Sequence, residues 1–216
     1  MTAHVPVPDY AAARQAMVDS QLRPQGVNDP SVISAMSLVP REKFVPAEQK
    51  PLAYVDRSLP LAAGRAMPAP SVTGLLLTAL TILPGERALV VGAGTGYSAA
   101  VLAEMGVKVT AIESMPELAA EARKNGVKVT EGPLAEGHAS GAPYDFILID
   151  GAVEFVPDAL VEQLRDDGRL GGALIDQGIS RLIVGIKAGG GFGFHSIADS
   201  ATPALPGFER PRAFTF

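Results

Sequence analysis

The segment Gly92-Ala93-Gly94-Thr95-Gly96 is the part of this 216-residue chain best suited to hold a ligand. It follows the apolar run Ala88-Leu89-Val90-Val91 and precedes Tyr97-Ser98-Ala99, so it reads as a turn from a buried strand into a helix. Residues without a side chain let such a turn close tightly and let backbone approach a bound molecule. In an open parallel sheet that turn lies at the carboxyl edge, where ligands bind. Glu113 ends the next apolar stretch, Val107–Ile112, about 20 residues beyond Gly92, where a carboxylate can accept from both hydroxyls of a ribose. The five loop residues, Glu113 and its neighbour Ser114 are therefore the expected ligand-binding set.

The spacing of the glycines narrows the ligand. A dinucleotide fingerprint has its third glycine three residues after the second. Here Tyr97 occupies that position and the glycine comes one residue early, at Gly96. G-x-G-x-G resembles the loop of S-adenosylmethionine-dependent methyltransferases, whose ligand carries no pyrophosphate. S-adenosyl-L-methionine is the expected cofactor, ahead of a nicotinamide dinucleotide or a plain strand–helix connection.

The flanking sequence supplies a frame for this site. Asp9 before Tyr10–Val18, and Asp29-Pro30 before Val32, Ile33, Met36 and Val39, are helix-start signals. A connector punctuated by Pro40, Pro46, Pro51, Pro60, Pro68 and Pro70 follows, suited to a loop wrapping another surface. Beyond it, Ser71–Leu83 reads as a buried helix. Strands Arg87–Val91, Val107–Ile112, Val127–Thr130 and Tyr144–Asp150 alternate with helices Tyr97–Met105, Pro116–Lys124 and Pro157–Leu164. Unbroken apolar strands alternating with helices predict a mostly parallel sheet covered on both faces. Leu170–Ile175, Ser180–Ile186 and Phe192–Ile197 are predicted to end that sheet antiparallel. The expected division is a helical and loop extension over residues 1–69, packed on a core over 70–216 within one structural domain.

Composition excludes several other classes. With 47% hydrophobic and 19% charged residues the chain can bury a core, and a net charge of -5 argues against nucleic-acid binding. No cysteine is present, so thiolate chemistry and disulfides are excluded, and His4, His138 and His195 lack carboxylates at ligand spacing, so no metal is expected. The first residues lack signal-peptide order, and the longest apolar run, Val72–Leu83, is short of the roughly 20 residues of a membrane span. A cytoplasmic protein without a membrane contact is expected.

Several longer segments resemble the protein-L-isoaspartate O-methyltransferase family. They are Met17–Leu22, Ala35–Pro46, Ala53–Leu61, Gly92–Leu102, Ala142–Asp145 and Pro157–Leu170. The resemblance implies a Rossmann-like class I S-adenosylmethionine-dependent methyltransferase fold with helices on both faces of the sheet. It also implies methylation of a carboxylate on isoaspartyl residues of damaged protein or peptide, by a monomer or weak dimer.

The site itself departs from the family pattern. The family's substrate loop G-Q-T-I-S-Q-P is here Gly64-Arg65-Ala66-Met67-Pro68-Ala69-Pro70, so its catalytic serine falls on Pro68. An acidic residue two before the first glycine is Val90. The Gly-Asp-Gly expected near the adenine is Gly132-Pro133-Leu134, and Val-Thr-Ala-Ala after the fourth strand is Ile149-Asp150-Gly151-Ala152. Pro133, Leu134 and Asp150 accordingly join the expected cofactor-binding residues. Asp150 reads either as facing the ligand or, preferred, as capping a turn through Gly151. Arg65 is the candidate to orient an acidic substrate, a guanidinium holding a carboxylate through two hydrogen bonds, against a solvated loop arginine. A carboxylate nucleophile has a pKa of about 4 and needs no general base, so alignment carries the catalysis. Two alternatives stay open: a different methyl acceptor, or a non-catalytic protein that binds the cofactor without turnover.

Overall fold

A computed structural model of the protein describes residues 9–62 and 64–210. The chain opens with helix α1 (Tyr10–Met17), a π-helical turn over Val18–Leu22, and helix α2 (Pro30–Leu38). Both expected start signals hold: the Asp9 side chain accepts from the Ala12 amide, and that of Asp29 from the Ser31 and Val32 amides. The proline-rich connector carries short 3₁₀ turns and a small hairpin of strands β1 (Leu59–Pro60) and β2 (Ala66–Met67).

Helix α3 (Pro70–Ala79) follows, and the chain then alternates strand β3 (Arg87–Val91), helix α4 (Tyr97–Glu104), β4 (Lys108–Glu113), α5 (Pro116–Lys124) and β5 (Val129–Glu131). Strand β6 (Tyr144–Val153), helix α6 (Asp158–Glu162) and strands β7 (Leu164–Asp176), β8 (Ile179–Ala188) and β9 (Gly191–Ser200) come after. The seven-stranded sheet has the order β5-β4-β3-β6-β7-β8-β9. Its first five strands are parallel, and β8 and β9 are added antiparallel. The parallel part follows from β–α–β connections, whereas two tight turns after β7 leave only hairpin pairing.

Boundaries differ from the sequence expectation where the backbone changes direction. Helix α3 stops at Ala79 instead of Leu83, and Thr81 takes a positive φ of 49° just before Pro84. Pro157 is the N-cap of α6 and not its first residue. Strand β6 runs on past Asp150 to Val153, because Ala152 and Val153 still pair with Ala173 and Leu174 of β7.

Alternation along the strands divides the interior in two. Ala88, Val90, Phe146 and Leu148 face one apolar cluster with Met17, Leu22, Met36, Leu77, Tyr97 and Leu102 of the helices. Leu89, Val91, Ile147 and Ile149 face a second, covered by Leu134, Leu160 of α6, and Leu205 and Phe208 after the last strand. The residues that follow the sheet therefore serve as part of its cover. Ala152 donates to Pro203 O and Leu205 donates to Ala152 O, each at 2.8 Å, tying that segment beside β6.

Arg41 fastens the connector to the core. It is fully buried, its Nε donates to Ala53 O at 2.9 Å, its Nη2 donates to Pro68 O at 2.6 Å, and its guanidinium lies 4.6 Å from the Tyr97 ring centroid. Replacing it leaves two buried carbonyls without donors, at about 1–3 kcal/mol each. Arg41→Ala is therefore expected to lower unfolding free energy by about 3 kcal/mol or more, measured by urea denaturation against the unaltered chain.

Candidate functional site at the glycine loop

The glycine loop turns from β3 into α4 at the carboxyl edge of the sheet, as its sequence predicts. Gly92, Gly94 and Gly96 all have positive φ, of 76°, 57° and 98°. Two of them also need the missing side chain for space. A Cβ on Gly96 would stand 2.7 Å from Val127 Cγ2, and one on Gly92 would stand 2.8 Å from Leu205 Cδ1. Gly96 thus secures close packing of the loop on Val127, between α5 and β5, while the space Gly92 leaves open is taken by Leu205.

Glu113 stands at the tip of β4 with its side chain aimed at this loop and wholly removed from solvent. Its Oε2 accepts from the Gly94 amide at 2.8 Å. Its Oε1 accepts from the amides of Ser114 (2.8 Å) and Met115 (3.0 Å), and from Arg65 Nη1 at 2.6 Å. Arg65 is itself 95% buried, and its Nη2 donates to Gly92 O at 3.0 Å. The reading of Arg65 as a solvated loop arginine is therefore wrong. The β1–β2 hairpin turns its guanidinium inward, because Leu61 N donates to Arg65 O and Arg65 N to Ala62 O.

The other expected residues divide by role. Ala93 is buried against the first apolar cluster. Thr95 donates its hydroxyl to Phe44 O at 2.5 Å and its carbonyl accepts from Asn125, so it pins the loop to the connector and to the end of α5. Pro133 caps a short 3₁₀ turn, and Leu134 is buried in the second cluster. Asp150 lies within the extended β6, where no turn exists for it to cap. It accepts from the Ser98 hydroxyl at 3.0 Å and borders the same crevice as Pro68, Gly92 and Tyr97. Pro68 offers that crevice no hydroxyl, and its carbonyl is committed to Arg41. Asp56 holds the connector, accepting from Ser71 N and Gln25 Nε2. The sequence did not single out Leu205, Leu61 or Arg41. None carried a local signal: Arg41 is the first of three consecutive charged residues, Arg41-Glu42-Lys43.

The groups present suit an adenosyl ligand in kind: a loop with three glycines and an accepting carboxylate beside it. The space does not suit it. Between Leu61, Met67, Gly92, Gly94 and Asp150 about 10 Å³ is free, no more than one water molecule requires. Larger spaces open on either side, about 280 Å³ beside Lys43, Thr95 and Leu118, and about 490 Å³ beside Arg65, Met115 and Leu205. Among the described residues no group of His, Cys, Asp or Glu is placed to hold a metal, and His4 lies outside them. No helix among them is long and apolar enough to cross a membrane.

A mostly parallel, helix-covered sheet with a G-x-G-x-G turn after β3 and a carboxylate at the tip of the neighbouring β4 defines a Rossmann-like class I methyltransferase fold. Solved structures agree: one titled protein-L-isoaspartate O-methyltransferase matches with a TM-score of 0.80 at 23% identity, over 90% of this chain and 66% of its own. Another, described as a putative protein-L-isoaspartate O-methyltransferase beta-aspartate methyltransferase from Plasmodium falciparum in complex with S-adenosyl-L-homocysteine, matches at 0.77 and 20% identity, over 92% of this chain and 99% of its own. Residues 12–179 match the family model described as protein-L-isoaspartate(D-aspartate) O-methyltransferase. Protein-L-isoaspartate O-methyltransferases of Methylorubrum extorquens (46% identity, 76% of this chain and 75% of the relative) and Gloeobacter violaceus (42%, 71% and 78%) align with it. The chain belongs to the protein-L-isoaspartate(D-aspartate) O-methyltransferase family.

Burial acts on Asp150 most strongly, pushing its carboxyl up to about 6, against the lowering effects of the Ser98 hydrogen bond and the nearby Arg65 and Arg41. Because the folded value exceeds the ordinary 3.8, the group favours the folded state at low pH and this contribution disappears as pH rises through about 6. The difference is worth about 3 kcal/mol. Urea unfolding of the chain is expected to show falling stability between pH 4 and pH 7 from this source, and Asp150→Asn to remove that part of the slope.

Proposed function

We propose that the protein is an S-adenosylmethionine-dependent O-methyltransferase that methylates a carboxylate, with isoaspartyl residues of damaged proteins as acceptors. The observation that carries this reading is Glu113, set at the end of β4 beside the glycine loop, within a chain matched to the family over residues 12–179. Bound S-adenosylmethionine supplies the methyl group. The glycine loop has no side chain at Gly92 or Gly94 to keep a ligand from its backbone, and Glu113 is the proposed acceptor of ribose hydroxyls. Ser114, Pro133, Leu134 and Asp150 complete the proposed surround of the cofactor. The acceptor carboxylate is ionised at neutral pH, so no residue need remove its proton.

Orientation of that carboxylate falls to Arg65 in this reading, once a bound ligand has taken its guanidinium off Glu113 and Gly92 O, since Pro68 has no hydroxyl or amide hydrogen to offer. With the reading go a cytoplasmic place of action and a monomeric or weakly dimeric chain. A second reading, a family member that keeps the fold without turnover, is favoured by Pro68 and by the small free space over Gly92.

Calorimetric titration with S-adenosylhomocysteine, followed by methyl transfer from labelled S-adenosylmethionine to an isoaspartyl peptide, separates the two. The proposal expects both binding and transfer. Binding without transfer to the peptide supports the second reading, or another acceptor. Glu113→Gln is expected to weaken S-adenosylhomocysteine binding about 10- to 100-fold, the worth of hydrogen bonds to a charged acceptor, with a thermal melt confirming that the variant is folded.

A further inference from the structure

The space over Gly92 is filled by two side chains from opposite directions. Arg65 comes from the β1–β2 hairpin and takes the carboxylate of Glu113. Leu205 comes from the segment after β9 and packs on the bare faces of two glycines, since a Cβ on Gly92 or Gly151 would stand 2.8 or 2.5 Å from it. Between them they present an apolar group and a pair of N–H donors to a surface that, in the proposed function, receives an apolar base and two ribose hydroxyls.

The segment carrying Leu205 is held as a strap. At its start Thr202 donates its amide to the Ser180 hydroxyl, and at its end Phe208 is buried and packs edge-on to Phe155. In between, its backbone attachments are the two hydrogen bonds to Ala152 and the bridge Ala152↔Ala204. The middle can therefore lift while both ends stay anchored. The free spaces of about 280 and 490 Å³ flank the plug, one bordered by Leu61 and the other by Arg65 and Leu205. Withdrawing these side chains joins them into a trough on the scale of small-molecule sites, about 300–1,000 Å³.

We infer that Arg65 and the strap of residues 202–208 form a displaceable plug over the glycine loop, so that strap closure and occupation of the site by an adenosyl ligand exclude each other. This rests on the proposed function, because that function names the ligand. Two consequences separate a plug from a merely structural cover. A ligand ordinarily slows amide exchange throughout a protein it binds. Here S-adenosylhomocysteine must speed exchange at the amides of Ala152 and Leu205 while slowing it elsewhere. In addition, shortening Leu205 raises the share of chains that are open, and the measured affinity rises with that share.

The test uses the whole chain, its Leu205→Ala variant, and S-adenosylhomocysteine as probe, with calorimetry and site-resolved hydrogen exchange. The expected result is affinity about tenfold higher in Leu205→Ala, and faster exchange at Ala152 and Leu205 when the unaltered chain is saturated. Binding to the unaltered chain with those amides equally or better protected overturns the plug and leaves the proposed function standing. Should Leu205→Ala fail to fold, the exchange measurement on the unaltered chain decides alone. Binding heat absent from both chains overturns the plug together with the function it rests on, an outcome recognised by the empty titrations themselves.

Discussion

A carboxylate withdrawn from water has to be met by hydrogen-bond donors, and the region around Glu113 is arranged by that requirement. Three amides, of Gly94, Ser114 and Met115, and one guanidinium converge on its two oxygens. The amides come from the loop and from the turn into α5, so the carboxylate ties the tips of β3 and β4 together. The guanidinium is the only member of the set delivered from outside the sheet. It brings the β1–β2 hairpin across the crevice and places Leu61 over Gly94. A charge pair of this kind gains little net stability over an apolar pair, but losing one partner strands the other. The hairpin and the strand tip are thus bound to each other's position unless another donor takes over.

The connector contributes a second layer of control. Arg41 reaches from its 3₁₀ turn to Pro68 O and lies against Tyr97, the first residue of α4. Thr95 reaches back to Phe44 O in the same connector, and Asp56 caps the amide of Ser71 at the start of α3. Loop residues near a binding crevice are usually the most mobile part of a protein. Here they are stitched to the core by charged and hydroxyl groups, so the shape of the crevice is set by residues 41 to 71 as much as by the sheet.

Periodicity made the sheet and its helices legible. Apolar runs alternating with helical spacing between Arg87 and Leu164 located β3 to β6 and α4 to α6, and glycines marked the hairpins of β8 and β9. Glu113 was legible from its distance to the loop. What escaped was long-range placement. Nothing local to Leu205, within Ala204-Leu205-Pro206, says that it will pair with Ala152, which lies 53 positions earlier in the chain. Asp150 before Gly151 has the local look of a turn, and only the pairing of Ala152 and Val153 with β7 keeps the strand going. Arg65 could not be called inward-facing from sequence, because burying a guanidinium depends on a carboxylate 48 positions away.

The position of Leu205 and Phe208 after β9 also bears on how the protein is made. Chains emerge from the ribosome in order at about 5–20 residues per second, and earlier parts begin to fold first. Strands β3, β4 and β6, with their glycine loop, are complete well before the strap is synthesised. For those seconds the second face of the sheet lacks the part of its cover that Leu205 and Phe208 supply, and Arg65 is present over the glycine loop without Leu205. A small molecule that reaches the loop during that interval competes with Arg65 and not with Leu205.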